Sequence, residues 1–114
     1  MQATDLVRIR HMIDGANSAR QFLAGHDRGD LETNRMLLFA VVRAIEVIGE
    51  AASKVSSETR SEIPAIPWAS VVSMRNRLVH GYFDIDTEIV WKTVTDEIPD
   101  LLAALEKAIG ASSS

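Results

Sequence analysis

The sequence lacks cysteine altogether and is poor in proline and aromatic residues. Without cysteine, the protein can form neither a disulfide nor a thiolate nucleophile. No apolar run approaches the roughly 20 residues that a membrane-spanning helix needs. The first 20 residues mix charged with apolar side chains and do not resemble a signal peptide. We therefore expect a cytoplasmic protein with no membrane attachment.

A strongly basic character is also missing, because the formal net charge is −4. A negative chain does not suit a broad basic surface that holds nucleic acid by its phosphates. The 12 basic residues are nine Arg and three Lys, and Arg makes the better bidentate phosphate contact. A GC-rich genome would produce the same bias, so charge alone does not decide the class of function.

What the sequence does contain is helical periodicity along most of its 114 residues, a length that suits one domain. The first predicted helix spans residues 4–23, with Thr4 as its N-cap and Gly25 just after its end. A polar connection over residues 26–30 follows.

The second predicted helix, over residues 31–55, has more apolar surface than a small bundle requires. Its main apolar stripe consists of Leu37, Val41, Ile45, Ile48, Ala52 and Val55. Phe39, Val42 and Val47 lie beyond that stripe. This surplus is either buried within the protomer or forms a contact between two copies, and we favour the dimer.

The third predicted helix, over residues 68–79, follows a connection with an irregular turn at residues 56–67. Pro67 suits its first turn, because the missing N–H costs little there. Gly81 is placed to end this helix as a left-handed cap.

The last helix begins after a loop at residues 82–85, with Asp86 as its N-cap, and continues to Gly110. Pro99 should kink or split it. The sequence thus predicts an all-α, up-and-down bundle of four to five helices. Residues 1–111 form its single domain and residues 112–114 a frayed tail.

Residues that could carry chemistry are concentrated between positions 74 and 86. On one intact helix, Arg75 and His80 would point about 140° apart. A joint site therefore requires one of two arrangements. Either the helix ends before His80, or a two-fold axis brings the Arg of one subunit to the His of the other.

Together an Arg and a His could cleave RNA without a metal ion. The imidazole can accept a proton from a 2′-hydroxyl or donate one to a leaving oxygen. Arg75, or with less support Arg77, could hold the phosphate and neutralise charge on its oxygens. The RNA's own 2′-hydroxyl would then be the nucleophile and a cyclic phosphate the product. Taken alone, however, one Arg and one His near a helix end are more often a cap and a surface ion pair.

Other polar residues have simpler explanations. Glu46 and Glu50, four apart, could orient the His or the Arg, but a solvated helix face accounts for them more readily. His11 and His26 are interpreted as structural or solvated. No set of His, Asp and Glu has the spacing of metal ligands, and no phosphate-binding glycine loop is present, so neither metal nor cofactor is expected.

The segment around Arg75 resembles a known family. Arg75, His80 and Tyr82 match the Arg-x4-His-x-Tyr signature of the HepT-like toxins, a branch of the HEPN superfamily. The stretches AIEVIGEAASKVS at 44–56, IPWASVVSMRNRLVHGYFDID at 66–86 and VWKTVTDEIPDLL at 90–102 are similar to that family as well. The likeness covers nearly all of the chain beyond the first helix.

The resemblance implies a HEPN-like bundle that forms a homodimer, with the Arg and His pairs in a shared cleft. It implies an endoribonuclease that acts as the toxin of a type VII-like toxin–antitoxin pair. The implied partner is an MntA-type nucleotidyltransferase antitoxin, which neutralises the toxin by AMPylation of Tyr82. Added phosphates would place negative charge beside the candidate catalytic residues Arg75 and His80. Asn76 could assist in the cleft, whereas the role of Arg77 is inferred from position alone.

Two other functions remain open at this stage. The first is a non-catalytic nucleotide-binding or scaffolding subunit of a nucleotidyltransferase complex. The second is a purely structural helical dimer. Both share the fold of the toxin, so RNA cleavage rather than architecture must distinguish them.

Overall fold

A computed structural model describes residues 1–80 and 84–113, with side chains described as far as residue 110. In chain order the elements are α1 (Ala3–Leu23), α2 (Asp30–Thr33), α3 (Arg35–Ser53), α4 (Ser57–Glu62), α5 (Trp68–Val72), α6 (Met74–Leu78), β1 (Val79–His80), β2 (Asp84–Ile85), α7 (Thr87–Lys92), a π-helical turn (Thr93–Glu97) and α8 (Ile98–Ser113). The predicted all-α class is confirmed, although the two short strands were not expected. Over the described residues, no helix combines the length and the apolar character needed to cross a membrane.

The core forms where α1 packs against α3 and α8. The predicted apolar stripe faces it, because all six of its members are buried: Leu37, Val41, Ile45, Ile48 and Ala52 in α3, and Val55 just after its end. Across from it lie Ile9, Met12 and Ala16 of α1, together with Ile98 and Leu105 of α8. Withdrawal of these side chains from water is the main favourable contribution to folding.

The two ends of α1 differ in how well they were predicted. Thr4 lies inside the helix, whose N-cap is Gln2 with no side-chain capping bond, so the predicted cap was wrong. Gly25, with a φ of 80°, follows the last turn as expected. That left-handed conformation favours glycine, which has no Cβ to clash with the backbone.

The predicted second helix is interrupted at Asn34, so its predicted length was wrong. Asn34 has extended backbone (φ −112°, ψ 95°), and its Oδ1 accepts a hydrogen bond of 3.0 Å from the Leu37 N–H. Asn is among the best N-cap residues. The single turn of α2 therefore ends at this residue, and α3 starts in a fixed direction after it.

The connection over residues 56–67 contains an unpredicted helix, α4, that is tied to α1. Asp5 is only 3% exposed, and its carboxylate accepts from Ser56 Oγ at 2.6 Å, Thr59 Oγ1 at 2.7 Å and Ser56 N–H at 3.0 Å. These bonds stabilise the charged form, so the Ser56 and Thr59 hydroxyls hold the pKa of Asp5 below its ordinary value.

The predicted third helix is in fact two short helices that meet at Ser73. The Ser73 hydroxyl donates to the Ala69 carbonyl at 2.9 Å, a local bond that competes with helix continuation. Pro67 is the N-cap of α5 rather than a residue of its first turn. After α6 the chain becomes extended at Val79 (φ −116°, ψ 116°). The predicted cap Gly81 lies outside the described residues.

The last part of the chain contains the cap and the interruption that were predicted. Asp86 Oδ1 accepts from the Ile89 N–H at 3.1 Å and caps α7. The π-helical turn directly precedes the region of Pro99, where a missing N–H prevents one regular helical bond. The helix then continues to Ser113. The boundary predicted between the domain and a tail at residue 112 stays a prediction.

Candidate functional site

Arg75 lies in α6 with an exposed side chain and borders two adjacent depressions. The larger, the Arg75 groove, has a volume of about 410 Å³ and is lined by Arg35, Leu38, Phe39, Val42, Glu46, Arg75, Val79, Asp84 and Ile85. The smaller, the α3–α6 notch, has a volume of about 210 Å³ and is lined by Glu46, Gly49, Glu50, Ser53, Val72, Arg75 and Asn76. The structure thus brings four of the predicted site residues to one place.

A glycine on α3 permits this arrangement. A Cβ atom at Gly49 would lie 3.2 Å from the Val72 carbonyl oxygen and 3.3 Å from the Val71 carbonyl oxygen. Both distances are shorter than most real Cβ contacts, so a side chain here would push α5 away from α3. The close approach places Arg75, three residues after Val72, beside Glu46.

The Arg75 guanidinium has no ion-pair partner among the described residues. The two carboxylates nearby pair with another cation: Arg43 Nη1 lies 3.3 Å from Glu50 Oε1 and 3.9 Å from Glu46 Oε2. Because its donors are not engaged, Arg75 can offer the planar, bidentate contact that suits a phosphate group.

His80 lies in β1, beyond the end of α6, and its side chain is 57% exposed. The first of the two arrangements considered from the sequence is therefore met, because the helix ends at Leu78. His80 is nevertheless absent from the described lining of both depressions, whereas its neighbour Val79 lines the Arg75 groove. Among the described residues of one protomer, Arg75 and His80 therefore do not line a common groove.

His80 pairs with a carboxylate that the sequence identified only as a cap. His80 Nε2 lies 3.8 Å from Asp86 Oδ2. The hairpin sets this distance, because Val79 pairs with Ile85 and the Asp86 N–H donates to the Leu78 carbonyl at 2.7 Å. Residues 80 and 86 become neighbours only through this pairing, so helical periodicity could not have indicated the contact.

Arg77, the other candidate cation, points elsewhere. Its Nη1 donates to Glu97 Oε1 at 3.0 Å, which joins α6 to the π-helical turn. Its Nε and Nη2 are buried and have no hydrogen-bond partner among the described residues. It does not line either depression beside Arg75. The structure therefore places Arg77 in a contact between elements of the fold, apart from the groove.

Tyr82, the predicted modification site, lies outside the described residues. Over the residues that are described, no group of three or more His, Cys, Asp or Glu side chains could hold a metal ion. His26 Nδ1 contacts Asp30 Oδ2 at 3.1 Å in an exposed pair. That contact agrees with the structural or solvated role expected for His26.

Several groove residues were not identified from the sequence. Arg35 and Phe39 form a pair in which the guanidinium carbon lies 5.0 Å from the ring centroid, a cation–π distance. Asp84 reaches the groove because the hairpin turns the chain back towards α3. The four-residue spacing of Arg35 and Phe39 on a helix could have indicated the first pair, but nothing local could have indicated Asp84.

Comparison with known proteins gives a consistent picture. The family described as "Ribonuclease HepT-like" matches residues 12–108. "Putative RNase MJ1380" of Methanocaldococcus jannaschii is 35% identical over 95 residues, which cover 83% of this chain and 87% of the relative. "Probable ribonuclease HepT" of Thermococcus cleftensis is 40% identical over 78 residues, which cover 68% and 71%. No solved structure matches the chain.

Proposed function

Because this chain belongs to the Ribonuclease HepT-like family, we propose that it is a metal-independent endoribonuclease that uses Arg75 and His80. The observation that carries the proposal is the unpaired guanidinium of Arg75 at the edge of a groove, together with a helix that ends before His80. The names of relatives at 35% and 40% identity support the coarser part of this proposal, ribonuclease activity. In the cell, this ribonuclease would be the toxin of a toxin–antitoxin pair.

The proposed active site is composite and lies between two protomers. What supports this proposal is that His80 is not among the described residues that line the Arg75 groove of its own chain. A two-fold axis near the groove would bring each His80 towards the Arg75 of the other copy. The phosphodiester would then bind between the two groups, and each dimer would contain two equivalent sites.

The chemistry needs only the RNA and these two side chains. The 2′-oxygen attacks phosphorus as the bond to the 5′-oxygen breaks, which leaves a 2′,3′-cyclic phosphate and a 5′-hydroxyl. Two protons move: one leaves the 2′-hydroxyl, and one is taken up by the departing 5′-oxygen. His80 accepts the first or donates the second, and a water molecule carries out the other transfer. Arg75 binds the non-bridging oxygens, where negative charge increases in the transition state.

The decisive experiment is cleavage of RNA by the purified protein in EDTA. We expect products with a cyclic phosphate, and at least a 100-fold slower reaction, on the order of what one acid–base group contributes, in His80→Ala and Arg75→Ala. An oligonucleotide with a single 2′-deoxy position should resist cleavage at that position only. Cleavage of DNA, or a strict requirement for added divalent cation, would refute the proposed mechanism.

Matched controls exist for both substitutions. His26→Ala removes an exposed histidine that is paired with Asp30, and Arg28→Ala removes an exposed arginine that lies 3.6 Å from Glu88. Neither lines the Arg75 groove. Both variants should retain wild-type cleavage. If no RNA is cleaved at all but a stable complex forms with a nucleotidyltransferase, the chain acts as a binding subunit instead.

We extend the proposal to regulation by an MntA-type nucleotidyltransferase that transfers AMP from ATP to the Tyr82 hydroxyl and releases pyrophosphate. The sequence contains one tyrosine, so tyrosine modification can occur at one position only. The added phosphate, two residues from His80, would repel RNA phosphates. Mass spectrometry after incubation with the partner and ATP should show a gain of one or more AMP units, and Tyr82→Phe should abolish it. Modification of another residue would contradict this assignment.

A further inference from the structure

Asp86 is held more rigidly than an ordinary surface carboxylate. Its Oδ1 accepts from the Ile89 N–H at 3.1 Å, its N–H donates to the Leu78 carbonyl at 2.7 Å, and its carbonyl accepts from the Val90 N–H at 3.0 Å. The bond to Leu78 and the first turn of α7 therefore fix the backbone of Asp86, and α7 also fixes one carboxylate oxygen. The other oxygen, Oδ2, faces the imidazole of His80.

Because Oδ1 caps α7, Oδ2 is the oxygen that can determine which nitrogen of the His80 ring carries the proton. A carboxylate can only accept hydrogen bonds, so a ring nitrogen that faces it does best as an N–H donor. The nitrogen that faces Asp86 is Nε2, at 3.8 Å. This distance is longer than a hydrogen bond, but contacts at active sites often shorten when substrate binds. Nδ1 is then left as the nitrogen with a free lone pair.

We propose that Asp86 is a positioning residue that holds His80 in its Nε2–H form, so that Nδ1 is the atom that exchanges a proton with RNA. The effect on catalysis rests on the proposed function, whereas the effect on the ring does not. Asp84, opposite His80 in the hairpin, is the other carboxylate that could act on the ring. It makes no ion pair with His80 in the structure and lines the Arg75 groove instead.

Asp86→Asn tests this proposal with little disturbance of the fold, because Asn is as good an N-cap as Asp. The cap requires an acceptor, so the amide oxygen must take the place of Oδ1 beside the Ile89 N–H. The NH₂ group then takes the place of Oδ2 and presents donors to Nε2. A nitrogen that faces a donor must accept, so the substitution should convert the ring to its Nδ1–H form.

The tautomer can be measured without RNA by long-range ¹H–¹⁵N correlation spectra of the full-length protein, at a pH where the ring is neutral. The chain has three histidines, and His80→Gln identifies the signals of His80. We expect Nε2–H in the wild type, a shift to Nδ1–H in Asp86→Asn, and a mixture in Asp86→Ser, which keeps a cap but no carboxylate. Asp84→Asn should leave the tautomer as it is. The same tautomer in all four proteins would overturn the proposal.

Cleavage kinetics give the second readout. In Asp86→Asn, kcat should fall roughly 10- to 100-fold, a part of what a positioned acid–base group contributes, with little change in KM or melting temperature. If the wild type cleaves RNA and Asp86→Asn has the same kcat, the positioning role is refuted. If the tautomer responds as expected but no variant or wild-type protein cleaves RNA, the proposed function has failed and the role of Asp86 in orienting the ring stands.

Discussion

Gly15 on α1 faces Ile48 on α3 so closely that a Cβ atom at Gly15 would lie 2.9 Å from Ile48 Cγ1. The same atom would lie 3.0 Å from the Ala44 carbonyl oxygen, which belongs to the backbone and cannot rotate away. The absence of a side chain at Gly15 therefore allows α1 and α3, the two long helices that form most of the core, to approach each other this closely.

Gly15→Ala should consequently destabilise the protein, even though alanine favours a helix by roughly 1 kcal/mol over glycine. Overpacking of a tight core contact costs about 1–3 kcal/mol, so we expect a net loss, measured as the free energy of unfolding in urea at fixed protein concentration. Gly110→Ala is the matched control. Apart from its own stretch of helix, a Cβ atom there would meet no described atom within 4 Å, and that variant should be as stable as the wild type or more so.

The buried carboxylate of Asp5 predicts a dependence of stability on pH. Its pKa in the folded state is lowered from 3.8 by the Ser56 and Thr59 hydrogen bonds. The stabilisation is therefore fully present above about pH 4 and is lost as the pH falls through the lower pKa of the folded state. Asp5→Ala should lose roughly 1–3 kcal/mol at neutral pH, because Ser56 and Thr59 lose their acceptor. Urea titrations from pH 7 down to acid should show this difference shrinking.

The main helices and the stripe of α3 were predictable because burial imposes a period on the sequence itself. Asn34 shows where periodicity misleads, since apolar residues continue on both sides of a cap that redirects the chain. The hairpin of β1 and β2 was missed because two-residue strands leave no alternation to detect. For the site, Arg75, Asn76, Glu46 and Glu50 were predicted and do lie together. The contact of His80 with Asp86 depends on the unpredicted hairpin.

Arg77 provides a test of whether proximity in sequence to Arg75 means a role in cleavage. Its ion pair with Glu97, and two further guanidinium nitrogens that are buried without a partner in the described part of the chain, indicate a structural contact. Arg77→Met should leave kcat within about twofold and change the free energy of unfolding by only about 1–3 kcal/mol in either direction, because replacement of such a pair by an apolar side chain is often neutral or stabilising. A loss of cleavage as large as that of Arg75→Ala, with the melting temperature unchanged, would place Arg77 in the active site after all.

The outer face of α3 is the expected contact between two copies. Met36 is 82% exposed and Phe39 is 51% exposed. Both lie in the first turns of α3, and Phe39 lines the Arg75 groove. Exposed apolar side chains that lie near one another often mark a contact between protein chains, whereas a single exposed one does not. Met36→Ser combined with Phe39→Ser should therefore convert a dimer to a monomer in light scattering. Val7→Ser, which replaces a 47% exposed residue of α1, is the control and should stay dimeric.

Mixed dimers decide whether each active site takes its two groups from different chains. Neither Arg75→Ala nor His80→Ala should cleave RNA by itself. In a mixed dimer, one site has lost both groups, whereas the other combines the intact Arg75 of one chain with the intact His80 of the other. After subunit exchange at equal concentrations, half of the dimers are mixed and half of their sites are intact, so about a quarter of the wild-type rate should return. If both groups of a site came from one chain, every chain in the mixture would be inactive and no cleavage would return. Two different affinity tags on the two variants show whether mixed dimers have formed. An inactive mixture contradicts the composite site only if mixed dimers are present.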